Sequence, residues 1–326
     1  MIPSEPTMRF PELTLPLMEQ AHRLTVQRFG KVIQLYVPLY VSNECVDSCT
    51  YCGFSRANTI RRLTLTPEQV VREASLLKSQ GFRHLLLVSG EHPKKVSVPY
   101  LCDIVSRLKT DFASIGVEVA PFHEPDYRAL AEAGVDTVAL YQETYNRDAY
   151  RRFHQGGPKQ DYDRRLAFVA EACRAGVRNV GLGVLLGLHP WEEEIAALLA
   201  HVKTLMKKYW QVHFTVSLPR LRSSAAGFKP PHPVSDRDFA RMICLLRLEL
   251  PDAGIILSTR ERPELRDQLL KMGITQMSAG SRTEPGGYGH PDAAQKQFEL
   301  EDHRTPAEVA AAILKAGYTP VWKDEL

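Results

Sequence analysis

The sequence predicts an α/β protein, built as a single-domain (β/α)8 TIM-type barrel. An apolar, strand-like run followed by a helical pattern recurs about eight times along the 326 residues. The runs are nearly continuous in Val, Leu and Ile, which indicates strands buried on both faces, as in a parallel sheet. No low-complexity tract or Gly/Ser linker divides the chain. One unbroken series of β/α units favours a closed barrel, with an open doubly wound sheet as the alternative.

Each predicted strand is followed by recognisable helix boundaries. The strands are expected at 32–41, 84–88, 117–120, 137–141, 180–186, 214–218, 255–257 and 274–277. Thr66, Pro67 and Gln69 form a capping-box pattern with proline at the first helical position, and Gly81 is placed where that helix should end. Further boundaries are expected at Gly134, Gly176, Ser235, Thr305 and Gly317.

Composition narrows the class of protein. Apolar residues make up 44% and charged residues 24%, which is typical of a globular protein with a substantial core. The longest apolar runs fall far short of 18 residues and no signal peptide is visible, so we expect no membrane partner. The net charge of +3, with both signs interspersed, predicts no nucleic-acid partner.

Cysteine usage and chain order give the expected compartment and organisation. Six cysteines are too few for a secreted disulfide framework, which indicates a reducing compartment, the cytoplasm. Cys102, Cys173 and Cys244 stand alone in helical patterns and are expected to be buried helix residues. Residues 1–30 are predicted to be a helical lead-in, and residues 31–326 a barrel with a C-terminal capping segment.

Polar and charged residues follow six of the eight predicted strands. Because active sites of β/α barrels lie at the carboxyl ends of the strands, these positions predict a ligand pocket. They are Asn43 and the cysteines after it, Ser89 to His92, Gln142 to Tyr145, Pro219–Arg220, Thr259 to Glu261, and Gly280 to Arg282.

Cys45, Cys49 and Cys52 form a C-x3-C-x2-C cluster directly after the first predicted strand. Three thiolates on a short loop can each bind one iron of a cubane and leave the fourth iron open to an exogenous ligand. Structural zinc is an alternative, but it normally takes four protein ligands, and only His84 and His92 could complete the set. Three buried thiols on one helix face are a further alternative, which the polar residues and glycine nearby disfavour.

The C-x3-C-x-Tyr-Cys pattern resembles the radical S-adenosylmethionine superfamily, and longer segments resemble the 2-iminoacetate synthases, the tyrosine lyases of thiazole biosynthesis. These segments extend from residue 36 nearly to the end of the chain. They are YVPLYVSN (36–43), CTYCGFS (49–55), LLLVSGEH (85–92), YQETY (141–145), VSLPRLR (216–222), LSTRE (257–261), AGSRTEPGGY (279–288) and PVWKD (320–324).

The sequence also departs from that family. Only about 30 residues precede the first predicted strand, where family members carry a longer helical segment, and members continue past the position of Leu326. No cysteine follows Cys244. We therefore do not expect the second, C-terminal cluster of the related hydrogenase-maturation lyase, nor its two-cluster reaction.

The resemblance implies a cytoplasmic radical carbon–carbon lyase. It would cleave the Cα–Cβ bond of L-tyrosine to 2-iminoacetate (dehydroglycine) and p-cresol, with 5′-deoxyadenosine and methionine, for thiazole formation in thiamine biosynthesis. The implied cofactors are a [4Fe–4S] cluster with one open iron and S-adenosyl-L-methionine, and the implied partners are a flavodoxin or ferredoxin as low-potential electron donor and a thiazole synthase. The alternatives are a tryptophan lyase and a non-catalytic iron–sulfur or zinc-binding homologue.

The resemblance also implies roles for individual residues, beginning with Cys45, Cys49 and Cys52 as cluster ligands. The residues implied to bind S-adenosylmethionine are Tyr51 beside the adenine, Ser89 and Gly90 along the backbone, Glu91 at the ammonium, Glu143 at the ribose and Arg165 at the carboxylate. Arg164 is an alternative to Arg165. For the amino-acid substrate we expect Arg260 to bind the carboxylate, with Ser217, Arg220 and Ser281 lining the same cavity.

Overall fold

Eight parallel strands close into a barrel in the computed structural model, which describes residues 10–221, 227–290 and 294–322. The first strand pairs with both the second and the eighth, which closes the sheet. The barrel strands are β1 Val32–Ser42, β2 His84–Ser89, β3 Ser114–Glu118, β4 Thr137–Ala139, β5 Asn179–Gly183, β6 His213–Ser217, β7 Gly254–Leu257 and β8 Gln276–Ser278. A further strand, β9 Thr319–Val321, pairs with β1 alone. The predicted closed barrel is confirmed, and the open sheet is wrong.

Helices alternate with the strands and pack against the outside of the barrel. They are α1 Leu15–Phe29, α2 Pro67–Ser79, α3 Val98–Leu108, α4 Glu124–Ala133, α5 Arg147–Phe153, α6 Tyr162–Arg174, α7 Trp191–Lys208, α8 Asp236–Glu249, α9 Pro263–Leu269 and α10 Pro306–Lys315. The capping box of α2 is present in both directions between Thr66 and Gln69. Gly81 adopts a left-handed φ of 102° just past the end of α2, which confirms that boundary.

Several strands differ from the sequence expectation. β4 and β5 end earlier than predicted, at Ala139 and Gly183, and β8 begins later, at Gln276. β3 begins and ends earlier than predicted, so that Glu118 is its last residue rather than an interior one. β9 was not predicted, because a three-residue strand carries too little pattern to be recognised. It pairs with Val32–Gln34 at the start of β1 and so adds a ninth strand beside the barrel.

The barrel interior and its helical shell explain the burial of the lone cysteines. Leu35, Val37 and Leu39 of β1 are at most 1% exposed and belong to a core that extends through all eight β/α units. Cys173 and Cys244 are buried in α6 and α8, as predicted, whereas Cys102 in α3 is only half-buried. No helix among the described residues is long and apolar enough to cross a membrane.

The segment 294–305, which precedes α10, lies across the carboxyl end of the barrel. Its Gln297 accepts a hydrogen bond from the backbone of Gly53 at 3.2 Å, and its side chain accepts one from Tyr40 Oη at 2.7 Å. Phe298 and Leu300 of the same segment line the cavity beneath it. This end of the barrel therefore has a partly closed chamber.

Candidate active site

The cavity at the carboxyl ends of the strands brings together nearly all of the predicted site residues. Those that line it are Cys45, Cys49, Tyr51, Cys52, Ser89, Gly90, Glu91, Glu143, Arg165, Ser217, Arg260 and Ser281. Arg220 does not line it. Residues from strands on all sides of the barrel thus meet at one place, as the closed fold requires.

The cysteine loop is held by backbone hydrogen bonds to two other segments. Val46 donates to the carbonyl of Glu91 at 2.9 Å, which ties the loop to the segment after β2. Ser48 donates to the carbonyl of Gly156 at 2.8 Å, and Thr50 donates to that of Phe153 at 3.0 Å. The loop conformation is therefore determined by packing and does not depend on a helix, so the interpretation of three thiols on one helix face is wrong.

The three thiols suit a cubane better than a single metal ion. Among the described residues no group of three His, Cys, Asp or Glu side chains could hold one metal ion. A cubane does not need such a group, because each thiolate binds a different iron. His84, proposed as a zinc ligand, begins β2 and so lies at the opposite end of the barrel from the cysteines, which follow β1. The donor set therefore fits an iron–sulfur cluster.

Hydrogen bonds to sulfur add to this fit. The backbone of Asp47 donates to Cys45 Sγ at 3.5 Å, and Gln297 Nε2 donates to Cys52 Sγ at 3.8 Å. Such bonds stabilise thiolate ligands and help to set cluster potentials. Burial raises the pKa of the Cys45 thiol to about 12. Bound cations would supply the positive charge that a buried thiolate needs.

Tyr51 and His154 form a buried pair beside the cysteine loop. His154 Nδ1 donates to the carbonyl of Tyr150 at 2.8 Å, so its Nε2 is left to accept the hydrogen bond from Tyr51 Oη, also at 2.8 Å. Burial and the charge of Lys159 lower the pKa of His154 to about 3, which keeps the imidazole neutral. The neutral histidine fixes the orientation of the Tyr51 ring at the cavity wall.

Four charged side chains form a closed ring of alternating sign in the cavity. Arg165 Nη1 lies 2.8 Å from Glu91 Oε1, and Lys159 Nζ lies 3.2 Å from the same oxygen. Lys159 Nζ also lies 2.7 Å from Glu143 Oε1, and Arg165 Nη2 lies 3.7 Å from it. Arg165 is further fixed by donating from Nε to the carbonyl of Tyr141 at 2.7 Å. We call Glu91, Glu143, Lys159 and Arg165 the charge ring.

The charge ring keeps both of its carboxylates ionised. Burial by itself would raise the pKa of each carboxyl group, but the charges of Lys159 and Arg165 outweigh it. The pKa of Glu91 falls to about 2, and that of Glu143 is also lowered. Ionised carboxylates accept hydrogen bonds from ammonium and hydroxyl groups, and the guanidinium can pair with a carboxylate. The ring is therefore suited to a ligand that carries all three groups.

Sequence reasoning missed Lys159, which the fold brings into the ring from the loop after α5. Its backbone N–H donates to Asp47 Oδ1 at 2.8 Å, so the lysine is anchored on the cysteine loop itself. Gly157 makes this contact possible, because it has a φ of 87° and approaches the backbone of residues 46 and 47 closely. The one local signal was the Gly-Gly-Pro sequence before it, which is typical of a tight, specialised loop.

The backbone is strained at Glu143. It is the one residue other than glycine with a positive φ, 71°, in the part of the chain that the structure describes. The left-handed region costs a residue with a Cβ roughly 1–2 kcal/mol, and such strain concentrates at functional sites. Its carboxylate points from this bend into the charge ring. The strained position supports a functional role for Glu143.

Gly90 is explained by protein packing. We expected a glycine here so that a ligand could approach the backbone. A Cβ on residue 90 would collide with the carbonyl oxygen of Glu44 and would lie 3.1 Å from Cys45 Cβ. Gly90 lines the cavity, but its missing side chain makes room for the cysteine loop. Ser89 Oγ donates to the carbonyl of Gly90 at 2.8 Å.

The structure distinguishes between the two neighbouring arginines. Arg165 is buried and lies in the charge ring, whereas Arg164 is exposed, with Nη2 3.1 Å from His123 Nε2. The side chain of Arg164 also stacks over Phe168 on the outer face of α6. Only Arg165 therefore reaches the cavity.

Arg220 is directed away from the predicted substrate site. Its guanidinium pairs with the buried Glu261 and lies 2.8 Å from Asp236 Oδ1. It also donates to the carbonyl of Val234 at 3.0 Å. These partners hold the carboxyl ends of β6 and β7 to the start of α8. The contacts give Arg220 a structural place, and it is not brought to the cavity with the other predicted residues.

The remaining predicted substrate residues do line the cavity. The Arg260 guanidinium lies over the Phe298 ring, 3.3 Å from its centroid. Ser217 is buried at the end of β6, and it acts to lower the pKa of the neighbouring Tyr141 phenol, which burial raises. Ser281 Oγ is buried and has no hydrogen-bond partner among the described residues. An unsatisfied buried hydroxyl is costly, so Ser281 is suited to contact a ligand.

Fold and site together define a radical S-adenosylmethionine enzyme: a parallel β/α barrel with three cysteines after β1 and a charged cavity beside them. A model of the Radical SAM superfamily matches residues 39–202, and a model of the Biotin and Thiamin Synthesis associated domain matches residues 217–319. The 2-iminoacetate synthase of Escherichia coli (strain K12) is 42% identical over 309 residues, which cover 94% of this chain and 82% of that protein. The enzyme of Salmonella typhimurium is 41% identical over 310 residues, 95% of this chain and 82% of that protein. The chain therefore belongs to the family of the 2-iminoacetate synthases.

Solved structures agree with this assignment. The crystal structure of HydG, a maturase of the [FeFe]-hydrogenase, has a TM-score of 0.90 at 37% identity and covers 94% of this chain and 68% of its own. HydG from Carboxydothermus hydrogenoformans has a TM-score of 0.88 at 38% identity, covering 94% of this chain and 71% of its own. Methylornithine synthase, at 22% identity and a TM-score of 0.77, shares the fold.

Proposed function

We propose that this chain is a tyrosine lyase that cleaves the Cα–Cβ bond of L-tyrosine to 2-iminoacetate and p-cresol, for thiazole formation in thiamine biosynthesis. The observation that carries the proposal is the meeting of three cavity-facing cysteines with the charge ring in one chamber. The 42% identity to a 2-iminoacetate synthase over 94% of the chain supports the choice of reaction.

Cys45, Cys49 and Cys52 would hold a [4Fe–4S] cluster. When bound, the cluster and S-adenosylmethionine supply the radical that removes a hydrogen atom from the substrate amine. The loop holds the three thiols toward the cavity, and the segment that contains Gln297 covers them from above. Exclusion of water from this chamber protects a reactive centre from side reactions.

The charge ring would bind S-adenosylmethionine. Glu91 accepts from the ammonium group, Arg165 pairs with the carboxylate, and Glu143 accepts from the ribose hydroxyls. Lys159 adds a second cation for the same carboxylate and holds Glu143 in its strained conformation through the 2.7 Å contact. Tyr51, fixed by His154, lies at the wall where the adenine would pack.

The opposite side of the chamber would bind the amino acid. Arg260 binds the substrate carboxylate, and Ser217 and Ser281 line the same space. We also propose a flavodoxin or ferredoxin as the low-potential electron donor, a thiazole synthase as partner, and the cytoplasm as compartment. The donor and the thiazole synthase follow from the reaction, which needs an electron for each cleavage and yields an unstable imine. The compartment follows from the sparse cysteines.

Anaerobic reconstitution followed by turnover tests the function. We expect four irons per chain, and p-cresol and 5′-deoxyadenosine from L-tyrosine when a strong reductant and S-adenosylmethionine are supplied. L-Tryptophan and L-phenylalanine, assayed in parallel, should give no corresponding cleavage product. If only tryptophan gave a cleavage product, tryptophan would be the substrate in place of tyrosine. A chain that bound one zinc ion and no iron would overturn the proposal.

Cysteine variants supply the matched control. Cys49→Ala should abolish cluster assembly, because it removes one of the three thiols that face the cavity. Cys102→Ala, on the outer helix α3, should assemble the full cluster and retain activity. Equal iron content in both variants would contradict the assignment of the loop as the cluster site.

A further inference from the structure

Two charged side chains in the cavity form no hydrogen bond with any residue that the structure describes. Seven charged residues line it, and five of them, the charge ring and Asp47, bond to one another. The remaining two are Glu118 and Arg260. Among the described residues neither side chain has a hydrogen bond or an ion pair, although each contributes to the electrostatic surroundings of the other. The chamber thus offers one unpaired anion and one unpaired cation.

The fold places these two groups on opposite walls. Glu118 ends β3 and Arg260 follows β7, and these strands are four apart in an eight-stranded barrel. Arg260 is held by its stacking on Phe298, whereas Glu118 lines the cavity from the end of β3. A free α-amino acid carries a carboxylate and an ammonium group on the same carbon. One zwitterion lying between the two walls would pair with both groups.

Burying an unpaired carboxylate is costly unless a ligand compensates it. Burial and the charge of Glu143 raise the pKa of Glu118 to about 7, while Arg260, Lys159 and Arg165 act in the opposite direction. The phenols of Tyr36, Tyr40 and Tyr141 also lie within its electrostatic reach. A carboxylate in these surroundings can accept a proton near neutral pH.

We propose that Glu118 binds the ammonium group of the substrate opposite Arg260 and takes up one of its protons. The inference rests on the proposed function in requiring that the substrate is an α-amino acid. The proton passes from the ammonium nitrogen to the carboxylate, giving a neutral amine and a carboxylic acid with no change in electron count. A neutral amine is needed because removal of a hydrogen atom from an ammonium group would leave the positive charge on an electron-deficient nitrogen.

The affinities of four ligands for the reconstituted enzyme, measured at equilibrium without reductant, distinguish the contacts to the ammonium group from those to the carboxylate. The ligands are tyrosine, phenylalanine, tyramine and 3-(4-hydroxyphenyl)propanoate, which lacks the amino group. Glu118→Gln should weaken tyrosine, phenylalanine and tyramine by about tenfold or more, since a charged hydrogen bond is lost. Binding of the propanoate should stay within twofold. Arg260→Gln should show the complementary pattern, weakening tyrosine and the propanoate and sparing tyramine.

Asp136→Asn is the matched control. Asp136 is also a partly buried carboxylate, accepting from Ser114 and Thr137, but it lies at the amino end of the same pair of strands. The Asp136→Asn substitution should leave the affinities for all four ligands unchanged. The proposal is overturned if Glu118→Gln weakens the propanoate as much as tyrosine. It is equally overturned if tyrosine weakens and phenylalanine does not, since Glu118 would then contact the phenol.

The pH dependence of p-cresol formation tests the proton transfer. Glu118→Gln can use only amine that is already neutral in solution, so its kcat/KM for tyrosine should rise about tenfold per pH unit between pH 7 and 8. The kcat/KM of the parent enzyme should rise much less steeply. Parallel profiles would refute the proton transfer. If the parent made no p-cresol while the binding pattern held, the reaction assignment would fail and the ammonium site would stand.

Discussion

Replacing Gly157 by alanine tests how the loop after α5 supports the cysteine loop. Gly157 has a φ of 87°, and a Cβ there would lie 2.6 Å from the carbonyl oxygen of Val46 and 2.8 Å from Asp47 Cα. Asp47 and Val46 lie between Cys45 and Cys49. The substitution therefore pushes directly on the backbone that positions two of the three cluster thiols.

Gly176→Ala measures the free-energy cost of the left-handed backbone conformation without a steric clash. Gly176 has a similar φ of 82°, but its Cβ would meet nothing within 4 Å. Both variants incur about 1–2 kcal/mol for the left-handed conformation and share the same gain from a stiffer unfolded chain. Only Gly157→Ala adds a steric term, about 1–3 kcal/mol for overpacking. The difference between the two free energies of unfolding should equal that steric term.

Denaturant unfolding gives the stability difference, and iron analysis after anaerobic reconstitution gives the functional consequence. Gly176→Ala should bind four irons per chain, whereas Gly157→Ala should bind substoichiometric iron. The reasoning is refuted if the two variants lose equal stability and Gly157→Ala still assembles a complete cluster.

Three further predictions concern charged groups in the cavity. Lys159→Met should retain the cluster but weaken S-adenosylmethionine binding by tenfold or more. The reason is that the carboxylates of the charge ring lose a cation that lowers their pKa. Wild-type affinity in equilibrium dialysis would contradict this prediction. Arg260→Lys keeps the charge but loses the planar fork, so p-cresol should fall sharply while 5′-deoxyadenosine continues to form; a strictly proportional fall in both products at saturating ligands would contradict uncoupling. Glu118 has its pKa raised by burial from 4.5 to about 7, so the folded chain binds more protons than the unfolded chain in that window and stability is lost as pH rises through it. Glu118→Gln removes this loss, so its free energy of unfolding should exceed that of the parent by roughly 3 kcal/mol at pH 8 and by under about 1 kcal/mol at pH 5. Denaturant unfolding measures both differences, and an equal difference at the two pH values would refute the raised pKa of Glu118 as the cause.

Local patterns in the sequence were sufficient for the architecture. Nearly continuous apolar runs identified the eight barrel strands, since burial on both faces leaves that pattern in any parallel sheet. Thr66 and Gln69 located a helix start because the capping box depends on residues only three apart. The spacing of Cys45, Cys49 and Cys52 likewise predicted the cubane loop from neighbouring residues.

Contacts between distant residues decided the rest of the site. Lys159 follows no strand, and it reaches the charge ring because its loop is anchored on the cysteine loop, in part by its hydrogen bond to Asp47, 112 positions away. Arg220 does follow a strand, but pairing with Glu261 and Asp236 turns it away from the cavity. Glu118 was hidden because β3 ends earlier than its apolar run suggests, and strand ends are determined by pairing with neighbouring strands. The sequence by itself determined which segments form strands and where the thiols lie along the chain. Only the tertiary structure decided which charged side chains meet. The electrostatic energy of a buried side chain depends on neighbouring charges, and the fold brings these from distant positions of the sequence.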